Sequence, residues 1–207
     1  LHKVDTEFGP KTQIHASSCN QDYSCLKGDC PSFVTVETRE GTGYRRPVPP
    51  VLDADAIPEP QHKAGLDGPF HVYIPGVGGT GVITINALLC YAALMDDKRV
   101  LSYDQTGAAQ KWGPVLSSLV IAAPGQPLAA NKVGAGKADL YLAFDLMAAA
   151  TPTNLDRCDP KRTAAVINTS LLPSGEMIRQ VTFTPPVEAM NEAIARFTSA
   201  GRSVSVE

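Results

Sequence analysis

From about residue 70 onward, short runs of β-branched, aromatic and aliphatic residues alternate with longer segments of helical character. Residues 71–74 (HVYI) form one such run and stop at a glycine-rich turn. Residues 81–95 (GVITINALLCYAALM) are apolar around most of their circumference, as expected of a helix packed on a sheet. Further strands are predicted at 100–103, 115–122 (VLSSLVIA), 140–144 (LYLAF) and 164–168 (AAVIN), the last preceded by a polar, proline-bounded segment at 151–160. Residues 188–200 carry apolar side chains at helical spacing and run into Gly201, a residue suited to the C′ position. Residues 204–206 supply a closing strand. The alternation predicts an α/β fold, a Rossmann-like and mainly parallel sheet with flanking helices, over residues 70–207.

Upstream of this region the periodicity is lost. Residues 46–69 hold six prolines (Pro47, Pro49, Pro50, Pro58, Pro60 and Pro69) and read as an extended, semi-rigid connector. It divides residues 1–45 from the α/β region.

Composition narrows the class of protein. Of 207 residues, 43% are apolar, enough to bury a core, and the net charge of −3 offers no basic footprint for nucleic acid. No apolar run approaches the ~20 residues needed to span a bilayer. The start, LHKVDTEFGPK, has neither an initiator Met nor a signal-peptide pattern. It reads as a chain entered part-way along, with N-terminal partners to be expected.

Five cysteines, an odd number, do not suit a small secreted disulfide scaffold and favour a reducing cytoplasm. Three of them, Cys19, Cys25 and Cys30, fall close together in HASSCNQDYSCLKGDCPSF, with Pro31 after the last. Clustered thiols in such a compartment can hold an iron–sulfur cluster or zinc, or be core residues without a ligand. Zinc sites usually show a second closely spaced pair, which is missing here. Cys90, inside the apolar helix, reads as a small buried hydrophobe, and Cys158 receives no role.

The turn IPGVGGTGV sets Gly76, Gly78 and Gly81 in the pattern G-x-G-x-x-G, with Gly79 as an extra. It follows a predicted strand and opens a predicted helix, the context in which the pattern has mechanical meaning. Glycines allow a tight turn and close approach of backbone to an anion, which the free N–H groups of the helix start then face. The bland alternative is a strand-to-helix turn whose glycines only permit close packing. Asp104, about twenty residues on, stands where a dinucleotide fold would place a carboxylate on the ribose. On that reading the chain is an NAD- or flavin-binding oxidoreductase with a metal knuckle attached.

Two stretches also resemble a known family. IHASSCNQDYSCLKGDCPSFVTVE is similar to the iron–sulfur segment of the fused, single-chain indolepyruvate ferredoxin oxidoreductases. IPGVGGTGVITINALLCYAALMDDKRVLSYDQTGAAQKWGPVLSSLVI resembles the γ-type domain that follows it there. The resemblance implies a 2-oxoacid:ferredoxin oxidoreductase, of which residues 1–45 are a partial ferredoxin-like segment and residues 70–207 the γ-type domain. Such enzymes decarboxylate an aryl or branched 2-oxoacid on thiamine diphosphate, pass electrons through iron–sulfur clusters to ferredoxin, and release an acyl-CoA. The implied partners are ferredoxin, the 2-oxoacid, coenzyme A, upstream thiamine-binding domains and further copies of the chain in a homo-oligomer, with no nucleic acid and no membrane.

The resemblance accounts for three cysteines rather than four. A [4Fe–4S] core takes four thiolates, and the family supplies others from a stretch upstream of these residues. The spacing C-x5-C-x4-C-P departs from the bacterial ferredoxin run, so the thiols are not apportioned between clusters. Gln110, Lys111 and Gly113 match the family's AQK turn, which makes Lys111 a candidate for contact with coenzyme A alongside Gly76, Gly78, Gly79 and Gly81, the alternative for Lys111 being a solvated loop lysine. Trp112 and Ser118 depart from the family pattern, commonly a small residue or Tyr and a His, and no substrate role is carried over to them. Lys132 and Lys137 could lend charge to a phosphate, although solvated surface lysines are the commoner case. A non-catalytic electron-transfer module is a further reading. No catalytic residue is named, because the implied chemistry sits on cofactors.

The cysteine segment yields a first test. Anaerobic purification of the intact protein should return oxygen-sensitive iron and sulfide, and Cys25→Ser should alter the cluster spectrum. Zinc in place of iron, or an unchanged spectrum in Cys25→Ser, would overturn the assignment of Cys19, Cys25 and Cys30 to an iron–sulfur cluster.

Overall fold

The computed structural model describes residues 2–13, 39, 67–108, 113–172, 177, 180 and 183–206. Cys19, Cys25, Cys30, most of the connector, and Gln110, Lys111 and Trp112 lie outside the described residues, together with the expectations attached to them.

Near the start, β1 (His2–Thr6) and β2 (Gly9–Gln13) form an antiparallel hairpin. Gly9 takes φ +84°, and the Thr6 hydroxyl donates to its carbonyl at 2.7 Å while accepting from the Phe8 N–H at 3.2 Å. Both strands are mostly polar, which is why an apolar pattern does not reveal them.

The remaining strands make one six-stranded sheet in the order β4-β5-β3-β6-β7-β8. They are β3 (Phe70–Val77), β4 (Arg99–Thr106), β5 (Pro114–Ala122), β6 (Leu140–Ala143), β7 (Ala164–Asn168) and β8 (Ser203–Val206). β5 runs antiparallel to both β3 and β4, whereas β3, β6, β7 and β8 are mutually parallel. Five strands thus share one direction, and the sheet is mixed but mainly parallel.

β3 is buried on both faces, as a central strand should be. It extends past Ile74 through Pro75 and Gly76, two residues that read as the start of a turn. Proline is tolerated here where the β3–β6 register ends, its last pair being Tyr73↔Tyr141. The Pro75 carbonyl still accepts from the Phe144 N–H at 3.0 Å.

Each sheet face has its own core. Helix α1 (Val82–Met95) covers a cluster that includes Val72, Ile74, Val82, Val115 and Leu119, with Cys90 half-buried at its edge. Asn86, the polar residue of the buried side, is 1% exposed and donates from Nδ2 to Ser102 Oγ at 2.7 Å and Asp104 Oδ1 at 2.9 Å. The opposite side of α1 is left bare by the described residues, with Leu88 58%, Tyr91 68% and Met95 85% exposed. The apolar circumference read from the sequence is real, but the sheet buries only part of it.

The other face is covered by α2 (Leu146–Ala149), α3 (Pro152–Leu155) and α4 (Val187–Phe197). Tyr73 and Tyr141 stack at 6.0 Å between ring centroids. Tyr141 donates to the Ala149 carbonyl at 2.7 Å and Tyr73 to Asn154 Oδ1 at 2.9 Å, so both short helices are tied to the sheet. Burial pushes the Cys158 thiol up to about 12, tempered by a hydrogen bond with Thr163, which makes it an inert core residue.

α4 is amphipathic, with Ile194 fully buried and the Glu192–Arg196 pair outward. It stops at Phe197, because Thr198 turns extended and caps the Ile194 carbonyl at 3.0 Å through its hydroxyl. Gly201 is therefore not the C′ residue. It sits in a separate 3-10 turn, Ala200–Arg202, leading into β8.

Asp139, just before β6, clamps the amino ends of the parallel strands. Its carboxylate accepts from the His71 N–H at 2.8 Å and from Arg162 Nε and Nη2 at 2.7 and 2.9 Å. Its own backbone N–H donates to the His71 carbonyl and its carbonyl accepts from Ala164, both at 2.9 Å. Burial alone would raise the Asp139 carboxyl, but the Arg162 hydrogen bonds and charge and the His71 N–H outweigh it and hold it below the usual carboxylate value.

Asp139→Ala should therefore cost about 2 kcal/mol, the lower part of the range for charged hydrogen bonds because Arg162 is partly solvated. The acid dependence has a definite sign. A depressed folded-state value stabilises the fold above the unfolded value of about 4 and is lost as pH falls through the lower folded one. Urea titrations across acidic pH should show that loss in the wild type and its absence in Asp139→Ala.

Candidate functional site

Strand β3 ends at Val77, and the chain then turns through Gly78, Gly79, Thr80 and Gly81 into α1. The glycines serve different ends. At Gly76 a Cβ would meet Val82 Cγ2 at 2.5 Å and Phe144 Cβ at 3.1 Å, so this glycine permits strand-to-helix packing. Gly79 and Gly81 have φ of +94° and +85° with open space around them, so backbone conformation requires glycine there. Gly78 is buried and its N–H donates to the Gly113 carbonyl at 2.8 Å. That bond joins the glycine turn to the end of the β4–β5 connection, two residues past Lys111 in sequence.

Gly81 is the N-cap of α1, and no side chain caps the helix. The first turn holds no acidic residue. Its N–H groups have no partner within the helix, because the bonding ladder begins only with the Ile85 N–H on the Gly81 carbonyl at 2.9 Å. They adjoin a cavity of about 440 Å³ lined by the turn glycines Gly78, Gly79 and Gly81, by Ile83 and Thr84, and by Thr106 and Val115. Thr106 ends β4 and pairs with Val115, so the cavity sits at the carboxyl ends of β3 and β4. Positive partial charge, unpaired donors and space together suit an anionic group.

Three of the predicted glycines, Gly78, Gly79 and Gly81, line this cavity, and Gly76 lies beneath it as a packing residue. Lys132 and Lys137 are not among its lining residues. Thr84 and Thr106 were not singled out from the sequence; only the pairing of β4 with β5 brings Thr106 to the turn.

Asp104 does not stand free for a ribose. β5 lies between its strand and β3, and Asp104 Oδ1 accepts from Asn86 and from the Ser117 hydroxyl. Among the described residues no three His, Cys, Asp or Glu side chains gather as a metal site, and no helix is long and apolar enough to cross a membrane.

Residues 71–202 match the family described as Pyruvate ferredoxin/flavodoxin oxidoreductase. Over 141 residues the chain is 26% identical to indolepyruvate oxidoreductase subunit IorB of Methanothermobacter thermautotrophicus, covering 67% of each chain. Among solved structures, it is similar to pyruvate oxidoreductase subunit PORC from Thermotoga maritima at 18% identity and a TM-score of 0.40, over 54% of this chain and 55% of that one. It is also similar to 2-oxoglutarate:ferredoxin oxidoreductase from Magnetococcus marinus, a structure with 2-oxoglutarate, coenzyme A and succinyl-CoA bound, at 19% identity and a TM-score of 0.42. That match covers 52% of this chain and 18% of the other. The chain thus spans only part of the length of the proteins it matches.

The two kinds of glycine predict two kinds of defect. Gly81→Ala should cost about 1–2 kcal/mol through its left-handed backbone alone, with no clash. Gly76→Ala should cost about 1–3 kcal/mol by forcing Val82 and Phe144 apart. Thermal melts give both values, and a second substitution Val82→Ala should relieve the Gly76 variant but not the Gly81 variant.

Proposed function

Because the chain belongs to the pyruvate ferredoxin/flavodoxin oxidoreductase family, we propose that it is the γ-type part of a 2-oxoacid:ferredoxin oxidoreductase and that its glycine turn holds the phosphate end of coenzyme A. The observation that carries this reading is the uncapped start of α1 opening on a cavity at the carboxyl ends of β3 and β4. Phosphate oxygens there would accept from first-turn N–H groups at no steric cost from Gly79 and Gly81. Lys111 would add a charge from the β4–β5 connection.

In the assembled enzyme a 2-oxoacid and coenzyme A would become carbon dioxide and an acyl-CoA, with the electron pair passing to ferredoxin and the thiol proton released. Thiamine diphosphate, held by other parts of the enzyme, supplies the decarboxylation chemistry. The role assigned to these residues is binding: the turn orients coenzyme A so that its thiol reaches the acyl group. Cys19, Cys25 and Cys30 would serve a [4Fe–4S] centre on the electron path. An aryl substrate such as indolepyruvate is the proposed 2-oxoacid, supported by the relation to the indolepyruvate oxidoreductase subunit. A dinucleotide in the same turn is the weaker reading, since β5 separates the Asp104 strand from β3 and Asp104 is bonded to Asn86 and Ser117.

Thr84→Glu is the test. A carboxylate in the first turn favours the helix dipole, so the fold should be as stable as wild type or slightly more so. The same charge should repel a phosphate and weaken coenzyme A binding roughly tenfold or more in titration calorimetry on the full-length enzyme. Decarboxylation that needs no coenzyme A should persist. Tight binding of NAD and none of coenzyme A would overturn the assignment.

A further inference from the structure

The face of the sheet away from α1 carries a second opening. Val72, Ile74 and Leu119 face α1, so the pleat turns Tyr73 and Ser118 the other way. A cleft of about 390 Å³ lies over that part of the sheet. Its floor is one cross-strand row, Tyr73–Ser118–Tyr103, fixed by the pairings Tyr73↔Ser118 and Tyr103↔Ser118. The next row adds Leu116 and its partner Gln105.

Two cations stand at the walls. Lys132 Nζ lies 4.2 Å from the centroid of the Tyr103 ring. Arg157 donates from Nη1 to the Val133 carbonyl at 3.3 Å and also stands against the Tyr73 hydroxyl, which leaves further N–H groups of its guanidinium without an acceptor among the described residues. Neither forms an ion pair among the described residues, where Arg162 pairs with Asp139 and Arg196 with Glu192. Ser118 is 4% exposed and lines the cleft, and its small side chain between two tyrosines keeps the floor low.

This lining asks for a particular chemistry. Two cations without a counter-charge favour an anion, while the tyrosine rings, Leu116 and Val133 favour an apolar, flat body. A bare phosphate would satisfy the cations but would leave its remaining oxygens against rings and aliphatic carbons. We propose that the cleft binds a small planar carboxylate, with its head between Lys132 and Arg157 and its flat body over Ser118 between the two tyrosines. The site is separate from the glycine turn and does not depend on the assignment made there.

The full 207-residue chain should be titrated with 2-naphthoate, cyclohexanecarboxylate and inorganic phosphate, by calorimetry and by amide NMR. The expected result is that 2-naphthoate binds tightest and shifts the resonances of Ser118 and Tyr103. Lys132→Met and Arg157→Gln should each weaken it roughly tenfold. Ser118→Leu should block it by raising the floor, and Thr84→Glu should leave it unchanged. If Ser118→Leu proves unfolded, the two cation variants decide, since both side chains reach solvent. No binding of 2-naphthoate at millimolar concentration overturns the proposal. So does phosphate or cyclohexanecarboxylate binding as tightly, or wild-type affinity in the doubly substituted Lys132→Met, Arg157→Gln protein.

Discussion

Asp139 is where three strands of the sheet are fastened to one another. Its carboxylate reaches the His71 N–H and both near nitrogens of Arg162, and its backbone bonds His71 and Ala164. Arg202 extends the chain of contacts by donating to the Arg162 carbonyl at 2.6 Å, which brings in the start of β8. A one-residue slip of β3 would exchange Tyr73 and Ile74 between the two cores and reverse every face. Fixing register at the amino ends determines where the carboxyl ends arrive. The glycine turn consequently meets Phe144 and the β4–β5 connection at a set distance.

The second constraint is the direction of β5. Antiparallel to both neighbours, it separates β3 from β4 and presents two adjacent serines to opposite faces. Ser117 is bonded to Asp104 on the α1 side, and Ser118 lies open to the cleft on the other. A dinucleotide fold would have β4 directly beside β3, with its carboxylate at the ligand. The reversed strand moves Asp104 one place outward and gives it a structural partner.

Much of this arrangement was legible in the sequence, for identifiable reasons. The runs at 100–103, 115–122 and 164–168 became strands because β-branched and aliphatic residues there pack on the pleat from both sides or one. The glycine turn fell where its flanks placed it. Local pattern failed where a distant partner decides. Pro75 and Gly76 signal a turn, yet β5 and Phe144 hold them in a strand. Gly201 signals a helix end, yet Thr198 stops α4 earlier with its own hydroxyl. The tyrosine–serine–tyrosine row could not be read at all, because three residues from three strands share it only through register. Neither could the differing duties of Gly76 and Gly81, which separate only once φ and the position of Val82 are known.

Helix α1 raises a question of rotation about its own axis. Most helices are turned to the correct angle by having one apolar side, but α1 is apolar on nearly every side, and Leu88, Tyr91 and Leu94 on its outside would bury as well as residues on its inside. Hydrophobic burial therefore holds the helix to the sheet without choosing among angles. Asn86 makes the choice. At the observed setting its amide reaches Ser102 and Asp104, and a rotation away from it would lose both bonds. One polar side chain in the middle of the helix thus aims the amide groups at its far end.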